Sequence, residues 1–188
     1  MGKIAVTEFI SLDGVIEDPG GSEDYKHGGW AFELSRGEDG DRFKVDETMG
    51  SDAMLLGRVT YEGFADAWPS REGEFADKFN AMPKYVVSST LKDPAWTNTT
   101  VVDGDVAIVV GELRDRHEGD IVVHGSGTLA RSLLEHDLVD ELRLMLYPVV
   151  LGQGKRLFGE TSGKKTLALA ESRPVGDDGV AVIVYRRR

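Results

Sequence analysis

A chain of 188 residues is long enough for a sizeable core, and we expect a single domain over residues 1–188. Its 22 basic and 33 acidic residues give a net charge of −11, which excludes a broad surface for nucleic acid or an anionic membrane. The chain has no cysteine, which excludes disulfides, thiolate chemistry and zinc–cysteine sites and favours a cytoplasmic location. We expect no metal site, no signal peptide and no membrane-spanning helix, since no run approaches roughly 18 apolar residues.

The first element is predicted to be a strand over residues 3–10 that leads into the segment SLDGVIE. Asp13 lies at the carboxyl end of this strand, where open α/β sheets collect their ligands. An Asp before Gly is also an ordinary turn former, so both interpretations stay open. After a loop rich in turn residues, Trp30 and Phe32 are candidates to line a pocket for a flat ring, or else plain packing residues.

A strand, a glycine and a helix follow one another in the next segment. A helix is predicted over residues 39–50, with a thin apolar face formed by Phe43, Val45 and Met49. A short buried strand over residues 53–56 then ends at Gly57, and a second helix begins with Arg58 and Thr60 in its first turn. An arginine beside a helix N-terminus suits a phosphate by charge and by its planar fork of donors, although a surface arginine is the alternative.

The middle of the chain continues the alternation of helices and strands. We predict a short helix over residues 75–82 and a strand that begins at Lys84 and ends in three hydroxyl residues, Ser88, Ser89 and Thr90. Such hydroxyls cap a turn or bind a phosphate. A strand is predicted over residues 99–102. Residues 106–116 combine a β-branched run with helix-favouring charges, and we interpret them as a helix.

The stretch DIVVHGSGTLARSLL, residues 120–134, repeats the junction in its clearest form. Ile121 to Val123 predict a strand buried on both faces, and leucines at helical spacing follow the turn. Gly125 and Gly127 would let a ligand approach the backbone, and the helix start presents unpaired N–H groups. The spacing of Gly125, Gly127 and Ala130 fits the loose dinucleotide-binding pattern, but a tight connection without a ligand is an equal alternative.

The end of the chain changes to strands. Residues 140–147 alternate leucines with polar residues, and strands over residues 166–171 and 180–185 are joined by a turn over residues 174–179. The whole pattern predicts an α/β fold with a mostly parallel central sheet and an antiparallel C-terminal hairpin at one edge.

The order of these motifs resembles the dihydrofolate reductase superfamily, within it the riboflavin-type pyrimidine reductase branch, which forms the reductase half of bifunctional riboflavin deaminase–reductases. The matching segments cover nearly the whole chain and are SLDGVIE, DAMLLGRVTYEGF, KYVVSST, IVVHGSGTLARSLL, LVDELRLMLYPVVLGQGKRLF and the final hairpin. The resemblance implies a dihydrofolate-reductase-like three-layer α/β/α fold. The segments that match contain no deaminase motif, so we expect a stand-alone reductase.

The resemblance further implies NADPH as the cofactor. Along its phosphates the resemblance implies Gly57, Arg58 and Thr60. Near the adenosine 2′-phosphate it implies Ser88, Ser89 and Thr90. At the pyrophosphate and its ribose it implies Gly125, Ser126, Gly127, Thr128 and Leu129. The nicotinamide side is implied at Asp13, Gly14 and Ile16, with Trp30 as the aromatic candidate. A cation with hydroxyls, and no ribose-binding acid, favours NADPH over NADH.

The implied reaction is hydride transfer to a C=N or C=O carbon of a small flat heterocycle, with a proton supplied nearby. The substrate would be a pyrimidine, such as 5-amino-6-(5-phosphoribosylamino)uracil of riboflavin biosynthesis, or a pterin. The candidate catalytic carboxylates are Asp13 and Asp41; Asp41 matches the first-helix acid of folate reduction by counting back from Gly57, but is also an ordinary residue of a solvated helix face. The resemblance implies a homodimer through the C-terminal strands and residues 148–154. The alternative is a non-catalytic dimeric module that keeps the fold.

Overall fold

An eight-stranded sheet forms the centre of the computed structural model, which describes residues 1–188. Its strands are β1 (Lys3–Ser11), β2 (Ser51–Gly57), β3 (Lys84–Val87), β4 (Thr99–Val102), β5 (Asp120–His124), β6 (Glu141–Tyr147), β7 (Leu167–Val175) and β8 (Val180–Arg187). Their order across the sheet is β4-β3-β2-β5-β1-β6-β8-β7. The first six in that order are parallel, whereas β8 runs antiparallel to β6 and β7. The predicted mostly parallel sheet with an antiparallel C-terminal hairpin is confirmed.

Helices cover both faces of this sheet and complete the three layers. They are α1 (Gly37–Met49), α2 (Arg58–Ala67), α3 (Glu74–Ala81), α4 (Val106–Arg116) and α5 (Gly127–Glu135), with a 3-10 turn at Trp30–Phe32. Helices α2 and α3 pack on one face and α4 and α5 on the other. Residues 106–116, which combine a β-branched run with helix-favouring charges, form α4, as predicted. It begins where the Asp105 carboxylate accepts hydrogen bonds from the N–H groups of Ala107 and Ile108, which caps its first turn.

Strand β5 is buried on both faces, as its apolar run predicted. Ile121 and Val123 pack toward α4 and α5, while Val122 packs toward α2 and α3, and all three are fully buried. Parallel strands point their carboxyl ends to one edge, so the segments that follow β1, β2, β3 and β5 meet there. This edge is the one that positions the candidate site.

The apolar face predicted for α1 is confirmed only for Phe43, which packs against the core cluster that contains Tyr147. It is wrong for Val45 and Met49, which are exposed, and the residues that the helix buries are Gly40, Glu47 and Thr48. The sequence interpretation sought an apolar stripe because most helices bury one. Helix α1 instead faces polar side chains of the sheet, so its inner face carries charged residues.

The C-terminal hairpin is longer than predicted and reaches the start of α1. Strand β7 extends to Val175 and includes Pro174, which an edge strand tolerates because one side of its backbone is unpaired. At the hairpin tip, Asp178 accepts a hydrogen bond from the N–H of Ser35 at 2.6 Å. Gly176 has a φ of 62°, and a Cβ there would lie 2.6 Å from the carbonyl oxygen of Ser35. A glycine is therefore required for the tip to pack on the chain that enters α1.

Candidate functional site

Hydrogen bonds of Ser126 join the two strand–glycine–helix junctions predicted from the sequence, β2–α2 and β5–α5. Strands β2 and β5 are neighbours, so their carboxyl ends lie side by side. The N–H of Gly57 donates to the Ser126 hydroxyl at 3.0 Å, and the N–H of Ser126 donates to the Thr60 hydroxyl at 2.9 Å. The Ser126 hydroxyl in turn donates to the carbonyl oxygen of His124 at 3.1 Å. The sequence placed these residues in one site, but it gave no signal for the hydrogen bonds that join them.

The turn after β5 needs small residues for close approach. Gly125 and Ser126 both adopt left-handed conformations, with φ angles of 54° and 59°. A Cβ on Gly127 would lie 2.6 Å from Cδ1 of Ile16, so the absence of a side chain lets the loop after β1 pack directly on the start of α5. Ile16, which the resemblance placed on the nicotinamide side, thus contacts the glycine turn.

Both helix starts at this edge leave their first N–H groups without a side-chain cap. Helix α2 begins after Gly57 and helix α5 after Ser126, and neither receives a capping hydrogen bond from a side chain. Uncapped N–H groups at the positive end of the helix dipole bind anions such as phosphates. Two such starts, joined by the hydrogen bonds of Ser126, present unpaired N–H groups to an anion at this edge.

The predicted cation is available at the first of these starts. Arg58 is exposed and pairs with Glu62 one turn along α2, at 3.0 Å from both carboxylate oxygens. An exposed i,i+4 pair of this kind stabilises a helix by only about 0.3–0.5 kcal/mol. A phosphate therefore competes readily with Glu62 for the guanidinium.

The predicted hydroxyl cluster follows β3, the neighbour of β2, at the same edge of the sheet. The Ser88 hydroxyl accepts hydrogen bonds from the N–H groups of Thr90 and Leu91 and so forms the turn itself. Ser89 and Thr90 are exposed. The turn-forming interpretation is confirmed for Ser88, whereas phosphate binding by Ser89 and Thr90 stays a prediction. In α5, the Thr128 side chain is exposed. The Leu129 side chain lies in the core, so only the backbone of that residue could contact a ligand.

Asp13 links the loop after β1 to the segment that follows β6 through hydrogen bonds. Its carboxylate accepts hydrogen bonds from the Ser11 hydroxyl at 2.7 Å, from the N–H of Leu151 at 3.1 Å and from the N–H of Gly152 at 2.8 Å. The Ser11 hydroxyl first, and the two backbone donors, lower the pKa of Asp13 to about 2. Asp13 is therefore ionised at neutral pH, and the geometry does not support the prediction that it donates a proton. Gly14, with a φ of 82°, completes this turn.

Trp30 does not line a pocket, so that prediction is corrected. Its side chain is buried against Tyr147, with the ring centroids 5.5 Å apart, and its indole N–H donates to the carbonyl oxygen of Glu17 at 2.8 Å. A fully buried, hydrogen-bonded indole offers no face to a ligand. Its role is to hold the loop before α1 onto β6.

Asp41 is also exposed rather than buried between α1 and the sheet. Its side chain is 64% exposed and accepts a hydrogen bond from Nε of Arg36 at 2.6 Å. The prediction rested on counting from Gly57, which gives a position along the helix but not the direction of the side chain. The structure does not support Asp41 as the proton donor of a buried site.

The sequence interpretation missed a buried polar cluster beneath α1. Lys44 donates to the hydroxyl of Thr7 at 2.8 Å and pairs with the buried carboxylate of Glu47. Glu47 also faces Arg143 on β6, and His124 pairs with Thr7 in register across β5 and β1. The signal available was the polar residues within buried strands, Thr7 and Arg143, whose partners only the fold reveals.

Opposed effects set the charges of this cluster. Burial, together with the nearby positive charges of Lys44 and Arg143, lowers the pKa of His124 to about 3, so its imidazole is neutral. Burial by itself disfavours an ionised Glu47, but the Lys44 ammonium, by its charge and its hydrogen bond, and the Arg143 guanidinium hold the Glu47 pKa below the usual range. Oε1 of Glu47 and Nε2 of His124 have no hydrogen-bond partner. The cluster is thus an ionised pair beside a neutral histidine.

The fold and the glycine junctions define a dihydrofolate-reductase-like protein. The family model of the RibD C-terminal domain matches residues 2–181, and the chain belongs to this family of reductases. Two relatives from Bacillus subtilis (strain 168) are each 28% identical, the uncharacterized proteins YyaP and YwjB. YyaP aligns over 97% of this chain and 94% of its own length, and YwjB over 89% and 88%.

Solved structures share the fold. A putative riboflavin biosynthesis protein from Shewanella sp. PV-4 superposes with a TM-score of 0.78 at 23% identity, covering 99% of both chains. The deaminase/reductase of Thermotoga maritima gives a TM-score of 0.66 at 17% identity, covering all of this chain and 57% of that one. Dihydrofolate reductase from Enterococcus faecalis, complexed with NADP(H), gives a TM-score of 0.64 at 18% identity, covering 100% of this chain and 97% of that one.

None of the five helices is long and apolar enough to cross a membrane.

Proposed function

We propose that this protein is an NADPH-dependent reductase that transfers hydride to a small flat heterocycle, either a pyrimidine such as 5-amino-6-(5-phosphoribosylamino)uracil or a pterin. The observation that carries the proposal is the pair of uncapped helix starts that Ser126 ties together at one sheet edge. When bound, the nicotinamide supplies the hydride, and the chain binds and orients it. Arg58 would bind the phosphates of the cofactor, with Ser88, Ser89 and Thr90 near the 2′-phosphate, and Ile16 would pack beside the glycine turn near the nicotinamide.

Binding of the cofactor is the first test. Titration of the protein with NADPH and with NADH, followed by energy transfer from tryptophan to the nicotinamide, should give tighter binding of NADPH. Arg58→Ala should weaken NADPH binding at least about tenfold, because a charge-assisted bond to phosphate contributes about 1.5–3 kcal/mol. Arg116→Ala is the matched control, since Arg116 is also an exposed arginine in an i,i+4 pair, with Glu112 on α4. Equal binding of NADPH to both variants contradicts the role of Arg58.

Turnover is the second test. Oxidation of NADPH should accelerate with at least one member of a panel of pyrimidines and pterins. Tight binding of NADPH with no turnover across the panel would favour the non-catalytic module instead.

We also propose that the protein is a homodimer that pairs through the sheet face of its C-terminal strands. A groove of about 630 Å³ lies there, lined mainly by leucines of β6 and by residues of β8, with Phe158 and Leu12 exposed at its margin. Copies that each carry a net charge of −11 repel, so contact is most favourable through a mainly apolar surface of this kind, whose charged lining residues are Asp13 and Lys165. Light scattering should give twice the monomer mass for the native chain, and Phe158→Glu should give the monomer. A native monomer contradicts the proposal.

A further inference from the structure

We infer that a second copy of this chain completes the cofactor site, because the turn over residues 11–16 lines the apolar groove and also packs on the glycine turn. The inference rests on the proposed reductase function and homodimer, and it names the partner that this site requires. Leu12 lines the groove and is 58% exposed, whereas Ile16, four residues later, is buried. The same turn therefore has one side toward a second copy and the other toward the cofactor.

Hydrogen bonds within this turn make it a single compact unit. The N–H of Gly14 donates to the carbonyl oxygen of Ser11 at 3.0 Å, and the N–H of Ser11 donates to the carbonyl oxygen of Val15, also at 3.0 Å. The Ser11 hydroxyl accepts a further hydrogen bond from the N–H of Val15 at 2.9 Å. A displacement of Leu12 therefore also moves Ile16 and its contact with the glycine turn.

The segment that holds this turn, residues 148–159, lies in neither a helix nor a strand. The N–H of Leu12 donates to the carbonyl oxygen of Val149 at 2.8 Å, and the N–H of Leu157 donates to the carbonyl oxygen of Gly14 at 3.0 Å. Irregular segments open more readily than the strands of a core, and their exposed hydrogen bonds give them little stability of their own. The turn and the segment are therefore held firmly only when the groove beside them is covered.

The groove fits a second copy because its own margin carries the side chains that would fill it. It has a volume of about 630 Å³, while Leu12 and Phe158 are exposed at its margin. A two-fold contact places the same surface on both copies, so the exposed apolar side chains of one copy enter the groove of the other. The charged lining residues are Asp13 and Lys165, one of each sign, so this surface does not repel its own copy.

The other side of the turn and of the segment contacts the start of α5. A Cβ on Gly127 would lie 2.6 Å from Cδ1 of Ile16, so the turn packs directly on the first residue of this helix. Leu157 of the segment is buried in the same core cluster as Leu129 of α5. A second copy that covers the groove keeps both pieces against α5, where the unpaired N–H groups would bind the cofactor. Because a preformed site binds more tightly, a separated copy should bind NADPH more weakly.

Titrations of the native chain as dimer and as monomer test this without any substitution. NADPH affinity is measured by energy transfer from tryptophan to the nicotinamide, at protein concentrations above and below the point at which the dimer dissociates. We expect the dimer to bind NADPH at least about fivefold more tightly than the monomer. Each copy gains this factor, so saturating NADPH should tighten the dimer by its square, about 25-fold, in analytical ultracentrifugation.

Leu167→Glu separates the loss of the dimer from direct damage to the turn. Leu167 lines the groove from β7, and two strands, β8 and β6, lie between β7 and β1. The variant should be a folded monomer that binds NADPH at least about fivefold more weakly. Met49→Glu, at an exposed apolar position of α1 outside the groove, is the control and should match the native chain. Ile16→Ala removes the contact with α5, so adding Leu167→Glu to it should cost no further affinity.

The possible failures are distinguishable. Equal NADPH affinity of the monomer and the dimer would overturn the inference and leave the proposed reductase intact. A native chain that is monomeric at every concentration would overturn the inference together with the homodimer. Failure of NADPH to bind either form would refute the proposed cofactor, and with it the inference that a second copy completes its site.

Discussion

Glu8 offers a sharp test of how this sheet tolerates a buried acid. The residue lies on β1 and is 4% exposed, and its Oε1 atom has no hydrogen-bond partner. Burial raises the pKa of its carboxyl from 4.5 to about 8, opposed in part by the positive charge of Lys44. The folded protein therefore keeps Glu8 protonated at neutral pH, whereas the unfolded chain ionises it. Glu8→Gln replaces this neutral acid with a neutral amide of the same shape.

The size of the effect follows from the pKa of the two states. Between pH 4.5 and pH 8 the folded state binds the proton that the unfolded state releases, so the contribution of Glu8 to stability is present at low pH and lost as the pH rises. Each pKa unit corresponds to about 1.4 kcal/mol, so the loss reaches about 5 kcal/mol above pH 8 as an upper bound. Glu8→Gln removes this titration. The variant should gain stability over the native chain as the pH rises.

Urea denaturation followed by tryptophan fluorescence measures the effect, since Trp30 and Trp96 are buried in the folded state. The difference in unfolding free energy between Glu8→Gln and the native chain should increase by several kcal/mol from pH 5 to pH 9. Glu33→Gln, at an exposed position, is the control and should show almost no such increase. A difference that stays constant with pH would refute the buried, protonated state of Glu8.

Two further substitutions test the packing of the scaffold. Lys84 is fully buried and donates to the carbonyl oxygens of Asn80, Met82 and Thr97. Lys84→Met should lower the unfolding free energy by about 3 kcal/mol in urea denaturation, because three backbone carbonyl groups lose their donor; a change below about 0.5 kcal/mol would contradict this. Gly176→Ala should lower the melting temperature by several degrees, since a Cβ there would lie 2.6 Å from the backbone and the φ is positive. Gly163→Ala is the control and should leave the melting temperature unchanged, because Gly163 lies in open space. Equal melting temperatures of the two variants would refute the contact between the hairpin tip and the start of α1.

The fold could be predicted where the local pattern and the tertiary environment agree. The apolar run Ile121–Val123 favours a strand buried on both faces, and a central parallel strand is such an environment. Glycines 57, 125 and 127 marked the two junctions, and the positive φ of Gly125 and the close packing of Gly127 require small residues there. The sequence could therefore place both helix starts at one sheet edge.

The direction of individual side chains could not be predicted. Asp13 and Asp41 were chosen by position along the chain, but one is fixed by backbone donors and the other points to Arg36. Trp30 followed a loop, as a pocket residue would, yet its burial depends on Tyr147, which is distant in sequence. Long-range contacts decide these orientations, and one sequence contains no record of which residues meet.

The strand order has a consequence for synthesis on the ribosome. Strand β8 is the last strand in the chain, yet it lies inside the sheet, between β6 and β7. Strand β6 therefore leaves the ribosome with one edge unpaired, and β7 has no neighbour until β8 has emerged. During translation, the leucine-rich half of the sheet remains open to aggregation or to a chaperone, while the half containing β2 to β5 has all its strands. A fusion partner attached at the C-terminus would lengthen this vulnerable interval only if it restrained β8 from inserting.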